Sequence, residues 1–254
     1  MEIFDTHAHY DDSSFDDDRS ILLGKTLPEA GVVGVISAGT TVESSRFNAS
    51  LAQKYDYVYF AAGIQPEETE KTGDGYLEEI AEIIKSSDKA VAVGEIGLDY
   101  HWKIDKPTQK RFFEEQLILA NELNKPVIIH DREAHADTLE LVKKYKPHGT
   151  LHCFSGSAET AMEFVRLGLY IGFTGAVTFK NNKKAPKVIE VVPIDRILVE
   201  TDCPYMAPEP LRGRRSDSTM IEHTLAFIAR IKGVTTEEMA HITAENARRL
   251  FNLN

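Results

Sequence analysis

Short runs of β-branched and apolar residues recur eight times along this chain, and longer amphipathic stretches separate them. The runs cover residues 2–6, 32–37, 57–62, 90–94, 126–129, 150–152, 169–172 and 196–200. Such alternation is typical of repeated strand and helix units around a parallel sheet. The chain has 254 residues, close to the roughly 250 that a closed (β/α)8 barrel needs. The pattern therefore predicts an α/β protein with a (β/α)8 TIM-barrel fold, as a single domain over residues 1–254.

Amphipathic periodicity predicts helices that would cover the outside of such a barrel. One apolar face recurs at helical spacing over residues 77–84, and another over residues 113–120. Thr108 is the predicted N-cap of the second helix. Thr235 and Glu238 fit a capping box at the start of a last helix, which we expect to pack on the barrel wall.

Residue types that bind metals lie at or just after the ends of five of the eight runs. They are His7, His9, Glu95, His130, His152 and Asp202. Strand C-termini meet at one face of a (β/α)8 barrel, so these side chains are expected to become neighbours. A lone histidine at a strand end is more often a hydrogen-bonded structural residue. Six such residues at one rim indicate a metal centre instead.

Six candidate ligands exceed the four of a single tetrahedral site, so the sequence predicts two divalent ions per chain. One ion is assigned to His7, His9 and Asp202, and the other to His130 and His152. Glu95 is the predicted bridge between them. Imidazole and carboxylate ligands suit Zn²⁺, Mn²⁺ or Fe²⁺. Two dications outweigh two carboxylates, so the predicted centre favours an anionic substrate.

Five segments that contain these residues occur in a characteristic order. They are Asp5-Thr6-His7-Ala8-His9, Gly94-Glu95-Ile96-Gly97-Leu98-Asp99-Tyr100, Pro126-Val127-Ile128-Ile129-His130-Asp131-Arg132, His152-Cys153-Phe154-Ser155-Gly156 and Glu200-Thr201-Asp202-Cys203-Pro204-Tyr205. The series resembles the TatD family of metal-dependent deoxyribonucleases, a branch of the amidohydrolase-like barrels. The resemblance spans nearly the whole chain.

That resemblance implies a (β/α)8 barrel, a dinuclear centre built from the six residues above, and nuclease activity on DNA. In the family this activity is often exonucleolytic, from the 3′ end of single strands. The resemblance also implies a preference for Mg²⁺ in assays. Because Mg²⁺ prefers oxygen ligands and keeps several waters, four imidazoles favour Zn²⁺, Mn²⁺ or Fe²⁺ in the isolated protein.

The chain departs from the family pattern at two places. After the third run the family typically has Gly-Ile/Val-His-Pro, whereas this chain has Gln65 in the histidine position. After Arg212-Gly213 the family usually continues Arg-Asn-Glu-Pro, and here the segment is Arg215-Ser216-Asp217-Ser218. We expect metal binding to survive both changes, and substrate choice and turnover to be affected.

Asp202 is the predicted general base of a two-metal phosphodiester hydrolysis, because it can ligate an ion and accept the proton of the attacking water. Glu95 is the second predicted catalytic residue. Arg132 is a candidate phosphate clamp, with a salt bridge in the barrel wall as its alternative role. Three further substrate contacts are predicted at Gln65, Ser155 and Arg212.

Two further groups of side chains are assigned to the rim. A basic collar is predicted from Arg212, Arg214, Arg215, Lys180, Lys183 and Lys184. Base-stacking rings are predicted at Tyr100, Trp102 and Tyr205, with rim packing as the alternative. Asp5 and Asp99 are candidates for carboxylates that orient the ligating imidazoles.

The formal net charge of −11 disfavours broad adhesion to polyanions, although a local basic collar would still attract a strand. Cys153 and Cys203 lie outside any CxxC pattern, which indicates reduced thiols. The first seven residues predict a strand and not a signal peptide. We therefore expect a cytoplasmic protein with single-stranded DNA as its substrate, no membrane association and no obligate protein partner.

Two other functions remain open at this stage. The same dinuclear site would serve a small-molecule ester or amide hydrolase, or a deacylase that removes D-amino acids from tRNA. Gln65 and the altered arginine loop are the features that favour such a divergence. A non-catalytic barrel that binds nucleic acid or a protein is the third alternative. It does not explain why the six candidate ligands occur together.

Overall fold

Within residues 1–253, which the computed structural model describes, eight parallel strands follow one another around a barrel. They are β1 (Ile3–Ala8), β2 (Val32–Ala38), β3 (Val58–Ala62), β4 (Ala90–Asp99), β5 (Val127–Arg132), β6 (Gly149–Leu151), β7 (Tyr170–Phe173) and β8 (Ile197–Val199). Each strand pairs in parallel with the next one along the chain. The predicted (β/α)8 barrel in one domain is confirmed.

Helices connect the strands and cover the outside of the sheet. They are α1 (Arg19–Ile21), α2 (Leu27–Glu29), α3 (Val42–Lys54), α4 (Tyr76–Lys85), α5 (Lys106–Glu122), α6 (His135–Tyr145), α7 (Ala158–Arg166), α8 (Ala185–Val191), α9 (Ile221–Lys232) and α10 (Thr236–Phe251). A π-helical turn (Leu22–Thr26) joins α1 to α2. Short 3-10 turns lie at Ser13–Phe15, Pro66–Glu68, Gly175–Thr178, Ile194–Arg196 and Ser218–Met220. Every helix described in residues 1–253 is too short or too polar to cross a lipid bilayer.

Side chains of β1 close the barrel against β8. The hydroxyl of Thr6 donates to the carbonyl oxygen of Val199 at 3.0 Å. The buried carboxylate of Asp5 accepts hydrogen bonds from the backbone amide of Thr201 at 3.0 Å and from its hydroxyl at 2.6 Å. It also accepts one from the hydroxyl of Ser218 at 2.6 Å. Asp5 therefore ties the first strand to the segment after the last one, which is where the ring must join.

All eight predicted runs overlap the observed strands, but the expected end of β4 is wrong. The prediction stops at residue 94, whereas β4 continues to Asp99 and places Glu95 inside the strand. Gly97 permits this extension because it has φ +137° and a Cβ there would lie 2.1 Å from the carbonyl oxygen of His130. Glycine therefore lets β4 run close beside β5.

The caps show one further difference from the sequence predictions. The N-cap of α5 is Asp105, whose carboxylate accepts from the backbone amide of Thr108 at 2.8 Å. Thr108 therefore lies in the first turn of the helix, and its assignment as the cap was wrong. The capping box of α10 is confirmed, since Thr235 and Glu238 each accept from the other's backbone amide.

The last helix, α10, packs across the starts of the first and last strands. Ala247 and Phe251 join a buried cluster that contains Phe4 of β1 and Leu198 of β8. The side-chain amide of Asn246 donates to the carbonyl oxygens of Ile194 and Ile197, both at 2.9 Å. This end of the barrel lies opposite the strand C-termini, so α10 stabilises the barrel without entering the rim that bears the candidate ligands.

Replacing Asn246 with alanine should lower the free energy of unfolding by about 1–3 kcal/mol, because one buried and one partly buried carbonyl oxygen lose their donor. Chemical denaturation measured by circular dichroism tests this. The control is Glu237→Ala, on the first turn of the same helix, which should change stability by less than about 0.5 kcal/mol. Equal stability of both variants would show that the amide does not anchor α10.

Candidate metal centre

Four ligand atoms converge on one point at the C-terminal end of the barrel. The Nε2 atoms of His7 and His9 lie 3.0 Å apart. The Oε2 atom of Glu95 lies 3.6 Å from the first and 3.5 Å from the second. The Oδ1 atom of Asp202 lies 3.5 Å and 3.3 Å from the same two nitrogens. These atoms come from β1, from the segment after it, from β4 and from the segment after β8.

Three further ligand atoms form a second group beside the first. The Nδ1 atom of His130 lies 3.0 Å from the Nε2 atom of His152. Both nitrogens approach the Oε1 atom of Glu95, at 2.9 Å and 3.0 Å. Glu95 therefore directs one carboxylate oxygen into each group. All six residues singled out in the sequence are brought together here.

The spacing of these atoms fits divalent cations. Ligand atoms held about 2.0–2.2 Å from a tetrahedral Zn²⁺ are separated from one another by about 3.3–3.6 Å. The five distances given for the first group run from 3.0 to 3.6 Å. The Nε2 atoms of His7 and His9 lie next to each other, an arrangement that a shared cation explains directly.

Electrostatics in the pocket also favours positive charge. Burial raises the pKa of Glu95, but the charge of His152 and the hydrogen bonds from His130 and His152 outweigh it and hold that pKa well below its usual range. Burial lowers the pKa of His9, yet Asp202 and Glu95 raise it to about 9. Asp99 and Glu95 likewise raise the pKa of His130 to about 9 against its burial. The buried carboxylates therefore favour positive charge beside them.

Contacts behind the ligands fix the orientation of their rings. The Nδ1 atom of His9 lies 3.1 Å from the carbonyl oxygen of Ala38, which turns Nε2 inward. The Nε2 atom of His130 lies 2.9 Å from Oδ2 of Asp99, so the predicted orienting role of Asp99 is matched by a contact. Asp5 contacts the backbone amide of His7 and no imidazole nitrogen among residues 1–253, so its predicted orienting role is wrong.

Glu200 is a carboxylate of this region that sequence reasoning missed. It is fully buried, accepts a hydrogen bond from the backbone amide of Cys153, and lies 3.6 Å from Nδ1 of His152. A Cβ on Gly172 would lie 2.6 Å from its Oε2 atom, so glycine leaves the space that this carboxylate occupies. Its place at the end of the eighth apolar run was the available signal, because strand C-termini meet at the rim that holds the other candidate ligands.

A cavity of about 610 Å³ opens above the two groups. Arg132, Gln65 and Ser155 all line it, as their predicted substrate contacts require. Arg212 does not line this cavity within the described chain, and its guanidinium carbon lies 4.2 Å from the centre of the Phe179 ring. Glu67 also lines the cavity and was not singled out from the sequence.

The predicted aromatic rim is present in part. Trp102 and Tyr205 line the cavity and are 49% and 58% exposed, and the Arg132 guanidinium lies over one face of the Trp102 ring, 5.9 Å from its centre. Tyr100 instead donates to Oδ2 of Asp137, and the Lys106 ammonium lies 4.0 Å from the centre of its ring. Tyr100 therefore packs in the rim. Cys153 and Cys203 are free thiols, as expected.

Residues 4–252 match the family model described as TatD related DNase. The chain belongs to the TatD family. This TatD family chain is 39% identical over 256 residues to the uncharacterized metal-dependent hydrolase YabD of Bacillus subtilis strain 168, which covers 99% of this chain and 100% of that protein. It is 34% identical over 264 residues to the 3'-5' ssDNA/RNA exonuclease TatD of Erwinia tasmaniensis, covering 99% and 100% of the two proteins.

Solved structures agree with this assignment. The crystal structure of YJJV, a TatD homolog from Escherichia coli K12, matches this TatD family chain with a TM-score of 0.91 and 31% identity, over 99% of this chain and 98% of that one. The resemblance inferred from the five motifs is confirmed. This TatD family chain is accordingly a metal-dependent hydrolase, and His7, His9, Glu95, His130, His152 and Asp202 form groups that could hold a metal ion.

Replacing Asp99 with asparagine should weaken the binding of one metal ion by about 10–100-fold, because the His130 ring loses its carboxylate partner. Metal titration of the chelator-treated protein, followed by calorimetry, measures this. Asp56→Asn, at an exposed position before β3, is the control and should leave the titration unchanged. Unaltered affinity in the Asp99 variant would remove this carboxylate from the support of His130.

Proposed function

We propose that this TatD family chain hydrolyses phosphodiester bonds in single-stranded DNA and removes nucleotides from the 3′ end. The observation that carries the proposal is the pair of ligand groups sharing Glu95 at the floor of a cavity whose wall includes Arg132. A relative of 34% identity is named a 3'-5' ssDNA/RNA exonuclease, which supports the substrate class and the polarity.

Two divalent ions per chain are part of this proposal. His7, His9 and Asp202 would hold one ion, His130 and His152 would hold the other, and Glu95 would give one oxygen to each. When bound, such ions supply Lewis-acid charge to the phosphoryl group and lower the pKa of a nearby water. The mixed imidazole and carboxylate set suits Zn²⁺, Mn²⁺ or Fe²⁺ better than Mg²⁺.

Asp202 acts as the general base in this proposal. Its side chain is 16% exposed and lines the cavity, so one carboxylate can contact both the ligand group and an entering water. The backbone amide of Asp202 donates to the carbonyl oxygen of His7 at 2.9 Å, which fixes the carboxylate over the first group. Asp202 accepts the proton of the attacking water. Glu95 holds the two ligand groups beside each other.

Cavity side chains orient the scissile phosphate. The guanidinium of Arg132 can hold two phosphate oxygens in a fork. Gln65 and Ser155 donate neutral hydrogen bonds from other parts of the wall. Because Gln65 carries neither charge nor a transferable proton near neutral pH, it positions the substrate without protonating the leaving oxygen.

A second candidate is hydrolysis of a carboxylic ester or amide at the same site, including an aminoacyl ester of tRNA. Two observations favour it: Gln65 replaces the usual family histidine, and Phe154, Val177 and Val188 give the cavity an apolar side. The two ligand groups suit hydrolysis of a phosphodiester and of a carboxylic ester or amide alike. Arg132 at the wall favours the phosphodiester, because a neutral ester has no use for a guanidinium fork.

Incubation of the Mn²⁺-loaded protein with a 5′-labelled single-stranded 20-mer should give a ladder shortened from the 3′ end. A 3′-phosphorothioate version of the strand is the matched control and should resist. Denaturing electrophoresis shows both products. If the strand stays at full length with Zn²⁺, Mn²⁺, Fe²⁺ and Mg²⁺ while the protein hydrolyses members of an aryl ester panel, the nuclease proposal is wrong. The second candidate then replaces it.

Replacing Asp202 with asparagine should lower kcat on that strand by at least about 100-fold, because the water loses its proton acceptor. Metal content by elemental analysis should remain at half or more of the parent value, since the other five ligands are kept. Asp195→Asn, at an exposed position before β8 and outside the cavity, is the control with full activity. Undiminished turnover of the Asp202 variant would assign the base elsewhere.

A further inference from the structure

Positive side chains are scarce where a strand would enter. Among residues 1–253, Arg132 and Lys184 are the arginine and lysine residues that line the cavity above the ligand groups. A protein that follows a nucleic acid backbone neutralises many phosphates with such side chains. Arg132 faces the scissile phosphate at the ligand groups, so Lys184 leaves the wall with a partner for about one further phosphate.

The other members of the predicted basic collar do not supply more. The Arg215 guanidinium forms an ion pair with Asp18 at 2.5 Å and lies 4.6 Å from the centre of the Phe15 ring. The Arg212 guanidinium lies over Phe179. Arg214, Lys180 and Lys183 are outside the cavity lining in the described part of the chain. A continuous basic track from the cavity to the surface is therefore not formed by these residues.

Glu67 adds a carboxylate to the same mouth. It lies in the 3-10 turn after β3 and lines the cavity with Gln65 and Tyr205. Burial and the nearby charge of Asp99 raise the pKa of Glu67, against the effect of His130 and a hydrogen bond from Trp102. A polyanion that continued past this wall would lie near the carboxyl group of Glu67. The rest of the protein, with a net charge of −11, would also repel it.

The size of the cavity agrees with a small ligand. Its volume of about 610 Å³ lies in the middle of the range of about 300–1,000 Å³ found for small-molecule sites. Trp102 and Tyr205 offer exposed ring faces for one or two unpaired bases, which stack without requiring phosphate contacts.

From this arrangement we infer that the substrate is a short single-stranded oligonucleotide, or the last few nucleotides of a strand, and not a long strand held along its backbone. The inference rests on the proposed phosphodiesterase function and narrows it. Recognition comes from the ligand groups, Arg132, Lys184 and the two exposed rings. Nucleotides beyond this cavity contribute no favourable contact.

The test compares kcat/KM per 3′ end for DNA single strands of 3, 5, 10 and 20 nucleotides, between 25 and 200 mM KCl, with the Mn²⁺-loaded protein. Each neutralised phosphate of a single strand contributes about −0.7 to the slope of log(kcat/KM) against log[salt], so the two phosphates of a trinucleotide give a slope near −1.4. We expect this slope for every length, and kcat/KM values that agree within about fivefold.

Three variants sharpen the result. Lys184→Gln should make the slope shallower by about 0.7, whereas Lys180→Gln, outside the cavity, should leave it unchanged. Glu67→Gln should raise kcat/KM for the 20-mer more than for the trinucleotide at 25 mM KCl, because repulsion of the continuing strand is removed. Thermal unfolding of each variant shows that the fold is intact.

A 20-mer cleaved more than fivefold faster per end than the trinucleotide, or a slope steeper than about −3, would overturn the inference and leave the phosphodiesterase function in place. Equal salt slopes for the Lys184 and Lys180 variants would also overturn it. Failure of the proposed function itself looks different, since no oligonucleotide of any length would then be shortened.

Discussion

The buried carboxylate of Glu95 is the constraint on which the rest of this structure depends. A charged carboxylate in the interior of a barrel is costly unless cations and hydrogen bonds compensate it. Four imidazoles surround Glu95 within 3.6 Å, two on each oxygen. Burial of this side chain therefore requires positive charge on both sides, and the cluster is stable as a whole only when protons or metal ions occupy it. The TatD family barrel can be understood as a scaffold that holds these groups in place.

The barrel achieves this through backbone paths that bring distant segments within ligand distance. Gly97 lets β4 run against β5, which sets Glu95 beside His130. Asp5 and Thr6 join β1 to β8 at the seam, which sets His7 and His9 beside Asp202. Carbonyl and carboxylate groups behind the rings then fix which nitrogen faces inward. If the register of a strand shifted by one residue, its ligand side chain would point to the other face of the sheet. The ligand groups therefore depend on the contacts that close the barrel between β1 and β8.

The strand pattern and the ligand set were predictable from the sequence because both follow from local spacing and from the shared rim of a parallel barrel. All six candidate ligands lie together, as their positions at strand ends predicted. The length of β4 was not predictable, since Gly97 acts through a close approach to β5 that no local pattern records. The same limit applies to Asp5 and the arginines after β8. Their partners lie far away in sequence, so Arg215 looked like a phosphate ligand until Asp18 was found beside it.

A barrel rim with two groups of ligand atoms, one guanidinium and few other positive charges suits an enzyme that acts on one anionic bond at a time. The central claim is that Glu95 is shared between two metal ions. X-ray diffraction from crystals of the Mn²⁺-loaded protein, recorded at the manganese absorption edge, tests it most directly. The account predicts two anomalous peaks about 3.5–4 Å apart, one beside each oxygen of Glu95. A single peak remote from Glu95, or no peak within reach of the six side chains, would contradict it.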